Sequence, residues 1–271
     1  MNDPRFTGDV IASPANKGIK TIRSLQRRKG RQQERAFVVE GTRAVEDILQ
    51  AAIRPRAIYV RDDFPLTDVP DVQMPVHRVA RNIFDTLTDV PHPQGILAIV
   101  PTLPEREVPV PDERGAPLIL IIDGVRDPGN MGTLFRSAAG AGIDHIVIGP
   151  ESVDAYHPKA VRAAMGAHVR IPFSHRDWPS LAETLATYDL VALADASGEA
   201  VYDEVDWTAS AALIVGSEAF GPSSGAWQLA NTHVSIPLSR GVESLNAGVA
   251  GSLLLFEAVR QRRGAAGQSR S

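Results

Sequence analysis

Five polar side chains between residues 130 and 246 lie within or just after glycine-containing segments and could take part in chemistry: Asn130, Arg136, Glu218, Ser244 and Asn246. Glycine lets a backbone approach a flat or polar ligand closely. An arginine near a helix N-terminus can bind a phosphate bidentately, because the free amides there already favour anions. These residue types predict an enzyme site that binds a polar ligand.

The elements that must position these side chains are strands of a sheet. The five side chains fall into three groups along the sequence, and each group follows a strand-like stretch. These stretches are residues 118–123, 212–215 and 234–238. Continuous apolar runs with helical patterns between them predict a mostly parallel sheet, and they occur at residues 118–122, 145–148, 190–193 and 213–215. Ligands bind where the strands of such a sheet end, so we expect one site from three loops.

Two helices flank the predicted site. A helix over residues 131–141 places Arg136 about one turn past Gly132, near the helix N-terminus. The last helix spans about 244–263, with Ser244 as its cap and Asn246 in its first turn. We expect its apolar side to be formed by Leu245, Val249, Leu253, Phe256 and Val259. Its small side, at residues 247–252, predicts close packing against a crossing segment or a partner subunit.

The first hundred residues predict a separate, smaller domain. Residues 37–100 alternate short strand-like and helix-like segments, which indicates a small α/β domain of mixed topology. Five prolines between residues 101 and 117 predict a stiff, extended connection. We therefore expect an N-terminal domain at 1–105, a linker at 106–117, a second domain at 118–263 and a flexible tail at 264–271.

Composition excludes several classes of site. The chain has 271 residues and no cysteine, which excludes disulfides, thiolate zinc sites and cysteine nucleophiles. Its seven histidines lack metal-ligand spacing, so no metal is predicted. A Walker loop and a Gly-x-Gly-x-x-Gly fingerprint are both missing, which disfavours an NTPase or a dehydrogenase. The polar N-terminus and the lack of a long apolar run predict a cytoplasmic protein.

One basic stretch stands out in a chain whose net charge is -4. Its candidate RNA-binding residues are Lys17, Lys20, Arg23, Arg27, Arg28, Lys29 and Arg31. Such a block can neutralise phosphates and give salt-dependent affinity for nucleic acid. A solvated helix followed by a loop would have the same composition, and charge alone leaves both interpretations open.

The polar segments also form three ordered motifs. They are Asn130-x-Gly132-x-x-x-Arg136, Gly216-Ser217-Glu218-x-x-Gly221, and Ile236-Pro237 followed by Glu243-Ser244-Leu245-Asn246. In this order and separation they resemble the motifs of the SpoU (TrmH-like) family of RNA ribose 2'-O-methyltransferases, within the SPOUT class. The resemblance covers residues 118–260, and residues 14–100 are more loosely similar to the family's L30e-like RNA-binding domain.

The resemblance implies a fold and a ligand. The fold is α/β, a parallel sheet with a C-terminal trefoil knot (the SPOUT fold) plus a smaller N-terminal L30e-like domain. The cofactor is S-adenosyl-L-methionine, and the protein is a homodimer through the knotted domain. The implied cofactor-binding residues are Gly216, Ser217, Gly221, Ile236, Leu238, Ser244 and Leu245.

The implied reaction is methyl transfer to a ribose 2'-hydroxyl of RNA, and we expect large-subunit 23S rRNA as the substrate. Arg136 takes the central catalytic position, with Asn130, Glu218, Ser244 and Asn246 orienting the ribose and Arg136. Because a guanidinium is normally protonated, we expect Arg136 to bind a phosphate or stabilise the forming alkoxide. The alternatives are a tRNA methyltransferase, an antibiotic-resistance rRNA methylase and a non-catalytic ribosome-assembly protein that binds RNA.

Overall fold

The computed structural model of the chain describes residues 5–113, 115–218 and 220–268. They form two compact units. The first comprises the described residues up to Pro104 together with Tyr156–Val169, and the second comprises Glu105–Ala155 and the described residues from Arg170 onward. Both units alternate strands with helices, so the predicted α/β class is confirmed.

The bounds of the elements are as follows. The strands are β1 Ala36–Glu40, β2 Ala57–Arg61, β3 Val76–Val79, β4 Ile96–Pro101, β5 Leu118–Ile122, β6 His145–Ile148, β7 Phe173–His175, β8 Leu190–Ala194, β9 Ala200–Val201, β10 Ala211–Val215 and β11 Thr232–Ser235. The helices are α1 Lys17–Leu25, α2 Arg28–Glu34, α3 Thr42–Gln50, α4 Arg81–Phe84, α5 Pro128–Ala141, α6 Pro158–Ala164, α7 Trp178–Leu185, α8 Ser224–Leu229 and α9 Ala247–Gln268. Short 3-10 helices lie at Leu66–Asp68 and Ala167–Val169.

The sheet of the first unit has the order β1-β4-β2-β3. Strands β2 and β3 are parallel and the other two pairs are antiparallel, which confirms the predicted mixed topology. Helix α1 buries Ile19, Ile22 and Leu25 completely, because a spacing of three keeps them on one face. Its basic residues consequently lie on the opposite, exposed face.

The described strands of the second unit form a parallel sheet with the order β7-β6-β5-β10-β8-β11-β9. The two central strands, β5 and β10, are buried along their whole length. This confirms the parallel sheet predicted from continuous apolar runs. Because the strands are parallel, the loops after β5, β8, β10 and β11 all start at the same edge.

The small side of α9 packs against α5 of the same chain. A Cβ atom placed on Gly251 would lie 2.5 Å from Cδ2 of Leu134, so any larger residue would force this leucine side chain to shift. The hydroxyl of Ser252 lies 2.6 Å from the hydroxyl of Ser137. We predicted that this small side packs against either a crossing segment of the chain or a partner subunit. The structure shows a crossing segment, helix α5.

The predicted apolar side of α9 is wrong in part. Val249, Leu253 and Phe256 are 46%, 45% and 48% exposed, whereas Leu254, Leu255 and Ala258 are buried. The small residues decide which face packs, because they let the backbones of α5 and α9 come close. Three large apolar side chains are thereby left on one exposed face.

The end of α9 also differs from the prediction. The helix continues to Gln268 and includes Gly264, where we expected a flexible tail from residue 264. Ala265 and Ala266 are good helix formers, which favours continuation of the helix beyond Gly264. Residues 269–271 of the predicted tail lie outside the described residues.

The segment Tyr156–Val169 belongs to the first unit, although we expected the whole of 118–263 to form the second domain. The ring of Tyr156 lies 4.5 Å from the ring of Phe37 in β1, and its hydroxyl accepts a 2.9 Å hydrogen bond from the Leu103 amide. Arg162 of α6 pairs with Asp89 at 2.8 Å. These contacts join residues distant in sequence, and local patterns do not reveal them.

The proline-rich segment packs on the second unit instead of bridging freely. Oε1 of Glu105 lies 2.7 Å from Nδ1 of His175, and the hydroxyl of Tyr188 donates a 2.6 Å hydrogen bond to the Pro109 carbonyl. Val108 packs against the core of this unit. The predicted linker 106–117 is therefore anchored along much of its length.

Within the described ranges, every helix is too short or too polar to cross a bilayer.

His145, at the start of β6, makes the stability of the second unit depend on pH. Its ring is 1% exposed and lies 2.9 Å from the Ser174 hydroxyl, and burial lowers the pKa of His145 to about 4. In the unfolded chain a histidine ring titrates near pH 6.5, so this position binds more protons in the unfolded chain than in the folded chain between pH 6.5 and 4. The free energy of unfolding should therefore decrease as the pH is lowered through this window, by about 2 kcal/mol between pH 7.5 and 5.

A comparison of urea unfolding at these two pH values in the parent and in His145→Gln tests this expectation. Glutamine gains no proton, so the variant should lose about 2 kcal/mol less than the parent on acidification. The carboxylates that titrate near pH 5 are common to both proteins. Equal losses in the two proteins would show that His145 is not the source.

Candidate active site

A cavity of about 230 Å3 opens at the carboxyl edge of the parallel sheet in the second unit. Its walls come from the segments after β8, β10 and β11 and from the first turns of α9. All of the residues predicted to bind the cofactor line this cavity: Gly216, Ser217, Gly221, Ile236, Leu238, Ser244 and Leu245. Glu218 lines it as well.

The walls of the cavity combine apolar surface with negative charge. Ile236, Leu245 and Leu254 provide apolar side chains, while Asp195 and Glu218 provide carboxylates. Ligand sites typically have this composition, with a few polar groups that fix the orientation of a largely apolar ligand. The cavity is suited to a ligand that has a flat apolar part and a positive charge.

The loop after β10 is held tightly over the cavity. A Cβ atom on Gly216 would lie 3.0 Å from the backbone of Pro222, so the loop folds back closely on its own start. The amide of Gly221 donates a 2.9 Å hydrogen bond to the Ser217 carbonyl. Asp123, at the end of β5, accepts a 2.7 Å hydrogen bond from the Ser223 amide, and burial raises the pKa of this carboxyl group. The end of one central strand thus fixes the loop that follows the other.

Hydrogen bonds connect the three polar motifs. The carboxamide of Asn130 donates to Oε1 of Glu218, and the carboxamide of Asn246 donates to Oδ1 of Asn130 at 2.9 Å. The amide of Ala247, the first residue of α9, donates to the same Oε1 of Glu218 at 3.3 Å. Glu218 therefore lies at a helix N-terminus, where the helix dipole favours a carboxylate. The expectation that three loops form one site is confirmed.

The sequence of this chain matches two known protein-family models. A model described as the SpoU rRNA Methylase family matches residues 117–256, which is more than half of the chain. The chain belongs to the SpoU rRNA methylase family. A second model, the MRM3-like substrate binding domain, matches residues 16–98.

Individual relatives agree with this assignment. The SpoU-family chain is 31% identical over 247 residues to the 23S rRNA (guanosine(2553)-2'-O)-methyltransferase RlmP of Bacillus subtilis (strain 168), covering 91% of this chain and 97% of that protein. It is 31% identical to rRNA methyltransferase 3, mitochondrial, of Mus musculus, covering 96% and 74% respectively. The solved structure of an AdoMet-bound rRNA methyltransferase from Sinorhizobium meliloti matches with a TM-score of 0.81 and 27% identity, covering 93% of this chain and 97% of that one. The resemblance based on the three SpoU motifs is thus confirmed.

Arg136 of the first SpoU motif lies farther along its helix than we expected. Helix α5 begins at Pro128, where Asp127 caps it by accepting a 2.9 Å hydrogen bond from the Asn130 amide. Counted from Pro128, Arg136 is the ninth residue, so the free amides of the helix N-terminus are too distant to assist it. Its side chain is exposed and forms no hydrogen bond or ion pair with another described residue.

The cap of α9 is Asn246, whereas we had predicted Ser244. The helix begins at Ala247, and Oδ1 of Asn246 accepts a 3.2 Å hydrogen bond from the Val249 amide. A carboxamide satisfies a free helix amide as well as a hydroxyl does, so either residue type could have been the cap. Ser244 lies in the preceding segment, where it lines the cavity of this SpoU-family chain.

The basic stretch of the first unit is exposed, with one exception. Lys17, Lys20, Arg27, Arg28 and Lys29 are exposed and form no ion pair with another residue in the described part of the chain. Arg23 is exposed as well and donates a 2.9 Å hydrogen bond to Thr86. Arg31 is only 3% exposed and donates a 2.8 Å hydrogen bond to the Leu25 carbonyl, so its predicted RNA contact is wrong. Its guanidinium instead holds the end of α1.

Sequence reasoning missed part of the cavity wall in this SpoU-family chain. Ala194, Asp195 and Ala196, at the end of β8, line it together with Val234 of β11. The apolar run before Asp195 was a usable signal, because it places this acid at the same strand edge as the three motifs. Among the described residues, no group of three or more histidine, aspartate and glutamate side chains is placed to hold a metal.

Proposed function

We propose that this protein transfers a methyl group from S-adenosyl-L-methionine to a ribose 2'-hydroxyl of large-subunit 23S rRNA. The observation that carries the proposal is the hydrogen-bonded group of Glu218, Asn130 and Asn246 beside the cavity. The printed activity of the Bacillus subtilis relative and the AdoMet-bound structure from Sinorhizobium meliloti support the reaction and the donor.

The cavity residues fit this cofactor. Ile236, Leu245 and Leu254 offer apolar surface for an adenine ring, and Gly216 contributes backbone without a side chain to the cavity wall. The carboxylates of Asp195 and Glu218 complement a sulfonium and an ammonium group. We propose that the residues predicted to bind the cofactor hold it here, largely through their backbone.

When bound, S-adenosyl-L-methionine supplies an activated methyl group on a sulfonium. The task of the chain is then to align the ribose hydroxyl and to ease the loss of its proton. Oε1 of Glu218 accepts bonds from Asn130 and Ala247, whereas Oε2 accepts none from a described residue. We propose that Oε2 orients the ribose hydroxyl, and that Ser244 and Asn246 fix the surrounding polar contacts.

The exposed guanidinium of Arg136 is available for RNA. A guanidinium offers positive charge and several hydrogen-bond donors, so this group is suited to binding a phosphate next to the target ribose or to stabilising the forming alkoxide. It forms no ion pair with a described carboxylate that would compete with such a contact.

We also propose that the C-terminal part of the chain forms a trefoil knot. Strand β11 follows β10 in the chain but lies beyond β8 in the sheet. The chain then returns, so that α9 packs on α5 and Gly251 contacts Val215 of β10. The return crosses the edge where Ile236, Leu238, Ser244 and Leu245 line the cavity with the loop after β10, which supports a threaded path.

We propose that two copies associate through the exposed face of α5 and α9. The ring of Phe256 lies beside Gly140 of α5, and Val249 and Leu253 extend the apolar face along α9. Arg136 lies one helical turn before Gly140 on the same side of α5. Association through this face would therefore bring Arg136 close to the partner subunit.

Replacing Phe256 with glutamate should convert the dimer to a monomer, because the change buries a charge in the apolar interface. Sedimentation equilibrium at micromolar concentrations measures the association. The control is Leu66→Glu, since Leu66 is 49% exposed but lies in the first unit. A parent that sediments as a monomer, or a Phe256→Glu variant that remains dimeric, contradicts the proposed interface.

The first unit is proposed to bind the RNA. The exposed lysines and arginines of α1 and α2 can neutralise phosphates, and the match to a substrate-binding domain model supports this division of labour. Removing residues 1–100 is an unsuitable test, because Tyr156–Val169 would lose the unit on which it packs. Single charge reversals avoid this problem.

Reversing Arg27 to glutamate should weaken rRNA binding by about tenfold at 0.1 M salt. The slope of log affinity against log salt should become shallower by nearly one, as expected for the loss of one phosphate contact. Arg43→Glu is the matched control, since Arg43 is exposed on α3 of the same unit outside the basic stretch. Filter binding across salt concentrations measures both variants, and equal losses would contradict a role specific to the stretch.

Nucleoside mass spectrometry of rRNA and tRNA from cells with and without the gene tests the proposed function. We expect one 2'-O-methylated nucleotide of 23S rRNA to disappear without the gene and to return with purified protein and cofactor. A lost tRNA methylation would change the substrate, and unchanged RNA with no cofactor binding would favour a non-catalytic assembly protein. A cytoplasmic location stays a prediction, and fractionation of the cells checks it.

A further inference from the structure

Phe220 is the most exposed of the large apolar side chains described in this chain, with 70% of its surface accessible. A single exposed apolar residue is common in proteins and requires no explanation on its own. Phe220 differs because its ring is held in place and because of where it lies. It is in the loop after β10, directly before Gly221 of the cavity wall.

Arg126 covers one face of this ring. Its guanidinium carbon lies 4.4 Å from the ring centroid, a distance at which cation and ring attract each other. Nη2 of Arg126 also lies 3.3 Å from Oε2 of Glu151. Glu151 has a φ of 60°, in the left-handed region that non-glycine residues rarely adopt. Such strain is often found at functional sites.

The three residues come from loops after three neighbouring strands. Glu151 follows β6, Arg126 follows β5 and Phe220 follows β10, and these strands are adjacent in the sheet. The group therefore lies at the same edge as the cavity. We call Phe220, Arg126 and Glu151 the platform. Because three loops contribute to it, the platform is more than a chance surface contact of one side chain.

The platform also adjoins both partners of the central hydrogen bond of the site. Phe220 lies two residues after Glu218 in the loop after β10. Arg126 directly precedes Asp127, which caps α5 by accepting a hydrogen bond from the Asn130 amide. Glu218 and Asn130 are thus each linked through a short stretch of backbone to one side chain of the platform.

We infer that Phe220, backed by Arg126, is a stacking site for a nucleobase of the RNA beside the target ribose. This inference rests on the proposed function. Single-stranded or extruded bases are recognised by stacking on aromatic rings, and the platform offers one ring face already occupied by a cation and the other open. Because every base has a π-face, the contact strengthens binding and positions the nucleotide without selecting its identity.

Methyl transfer to rRNA isolated from cells that lack the gene tests this inference. Stacking contributes to affinity, so Phe220→Ala should raise KM for rRNA about tenfold or more, with kcat within about threefold. Phe220→Leu keeps an apolar side chain without a ring and should resemble Phe220→Ala. Phe220→Tyr restores the ring and should stay within about twofold of the parent. Val110→Ala is the control, since Val110 is 52% exposed in the same unit.

Several outcomes would overturn the stacking site. An unchanged KM in Phe220→Ala or full activity in Phe220→Leu would each do so. A large loss of S-adenosyl-L-methionine affinity in Phe220→Ala, measured by calorimetry, would mean instead that the ring supports the cavity. If the parent protein methylates no RNA, the proposed function fails instead. Retention of the same rRNA on filters then decides the stacking site, with weaker retention expected for Phe220→Ala and Phe220→Leu than for Phe220→Tyr.

Discussion

Replacing Arg136 with alanine is expected to lower methyl transfer by about 100-fold or more while S-adenosyl-L-methionine affinity stays within about twofold. The rate should fall because a positioned cation that stabilises developing negative charge typically contributes such a factor. Cofactor affinity should persist because Arg136 is exposed, does not line the cavity and has no hydrogen-bonding partner among the described residues. Single-turnover transfer of a labelled methyl group and calorimetric titration measure the two quantities.

Two further variants sharpen this test. Arg136→Lys keeps the charge but loses the planar fork, so an intermediate rate would indicate bidentate phosphate binding. Arg263→Ala removes another exposed arginine of the second unit, from the last turns of α9, and should leave the rate unchanged. A parental rate in Arg136→Ala would remove this residue from the mechanism.

Replacing Gly216 with valine is expected to weaken S-adenosyl-L-methionine binding by about 30-fold or more. A Cβ atom at this position would lie 3.0 Å from Cα and N of Pro222, and backbone atoms cannot swing away as the end of a side chain can. The loop after β10 would have to move, and with it Ser217 and Gly221 of the cavity wall. Forcing extra atoms into a tight site typically costs about 1–3 kcal/mol, which agrees with a loss of this size.

Gly115→Ala is the matched control for Gly216→Val. Gly115 lies in the same unit, and a Cβ atom there would meet nothing within 4 Å. Circular dichroism and thermal unfolding show whether each variant folds. A folded Gly216→Val protein that binds the cofactor like the parent would mean that this cavity is not the cofactor site.

Much of the second unit follows from local patterns. Continuous apolar runs identified β5, β6, β8 and β10, because a strand covered on both faces needs apolar residues throughout. Polar residues directly after such runs are then expected to meet at one edge, and the hydrogen bonds that Glu218 accepts from Asn130 and Ala247 bring them together there. These inferences succeed because strand direction and strand end are both visible in the sequence.

The features that sequence reasoning missed depend on contacts between distant residues. Arg31 has the same charge as its neighbours, and the sequence does not reveal its burial or its hydrogen bond to the Leu25 carbonyl. The outward face of α9 follows from the fit of Gly251 against Leu134, which a helical periodicity does not contain. The predicted position of Arg136 was wrong for a simpler reason. We expected the helix to begin at residue 131, whereas α5 begins at Pro128, a residue type that suits the first position of a helix.

The order of synthesis gives the segment Tyr156–Val169 a further significance. This segment completes the first unit, yet it leaves the ribosome only after β5, α5 and β6 have been made. At about 5–20 residues per second, several seconds separate the last residue of β4 from the end of this segment. During that interval the nascent chain carries an unfinished first unit, which can reach its mature form only once translation of the second unit is well advanced.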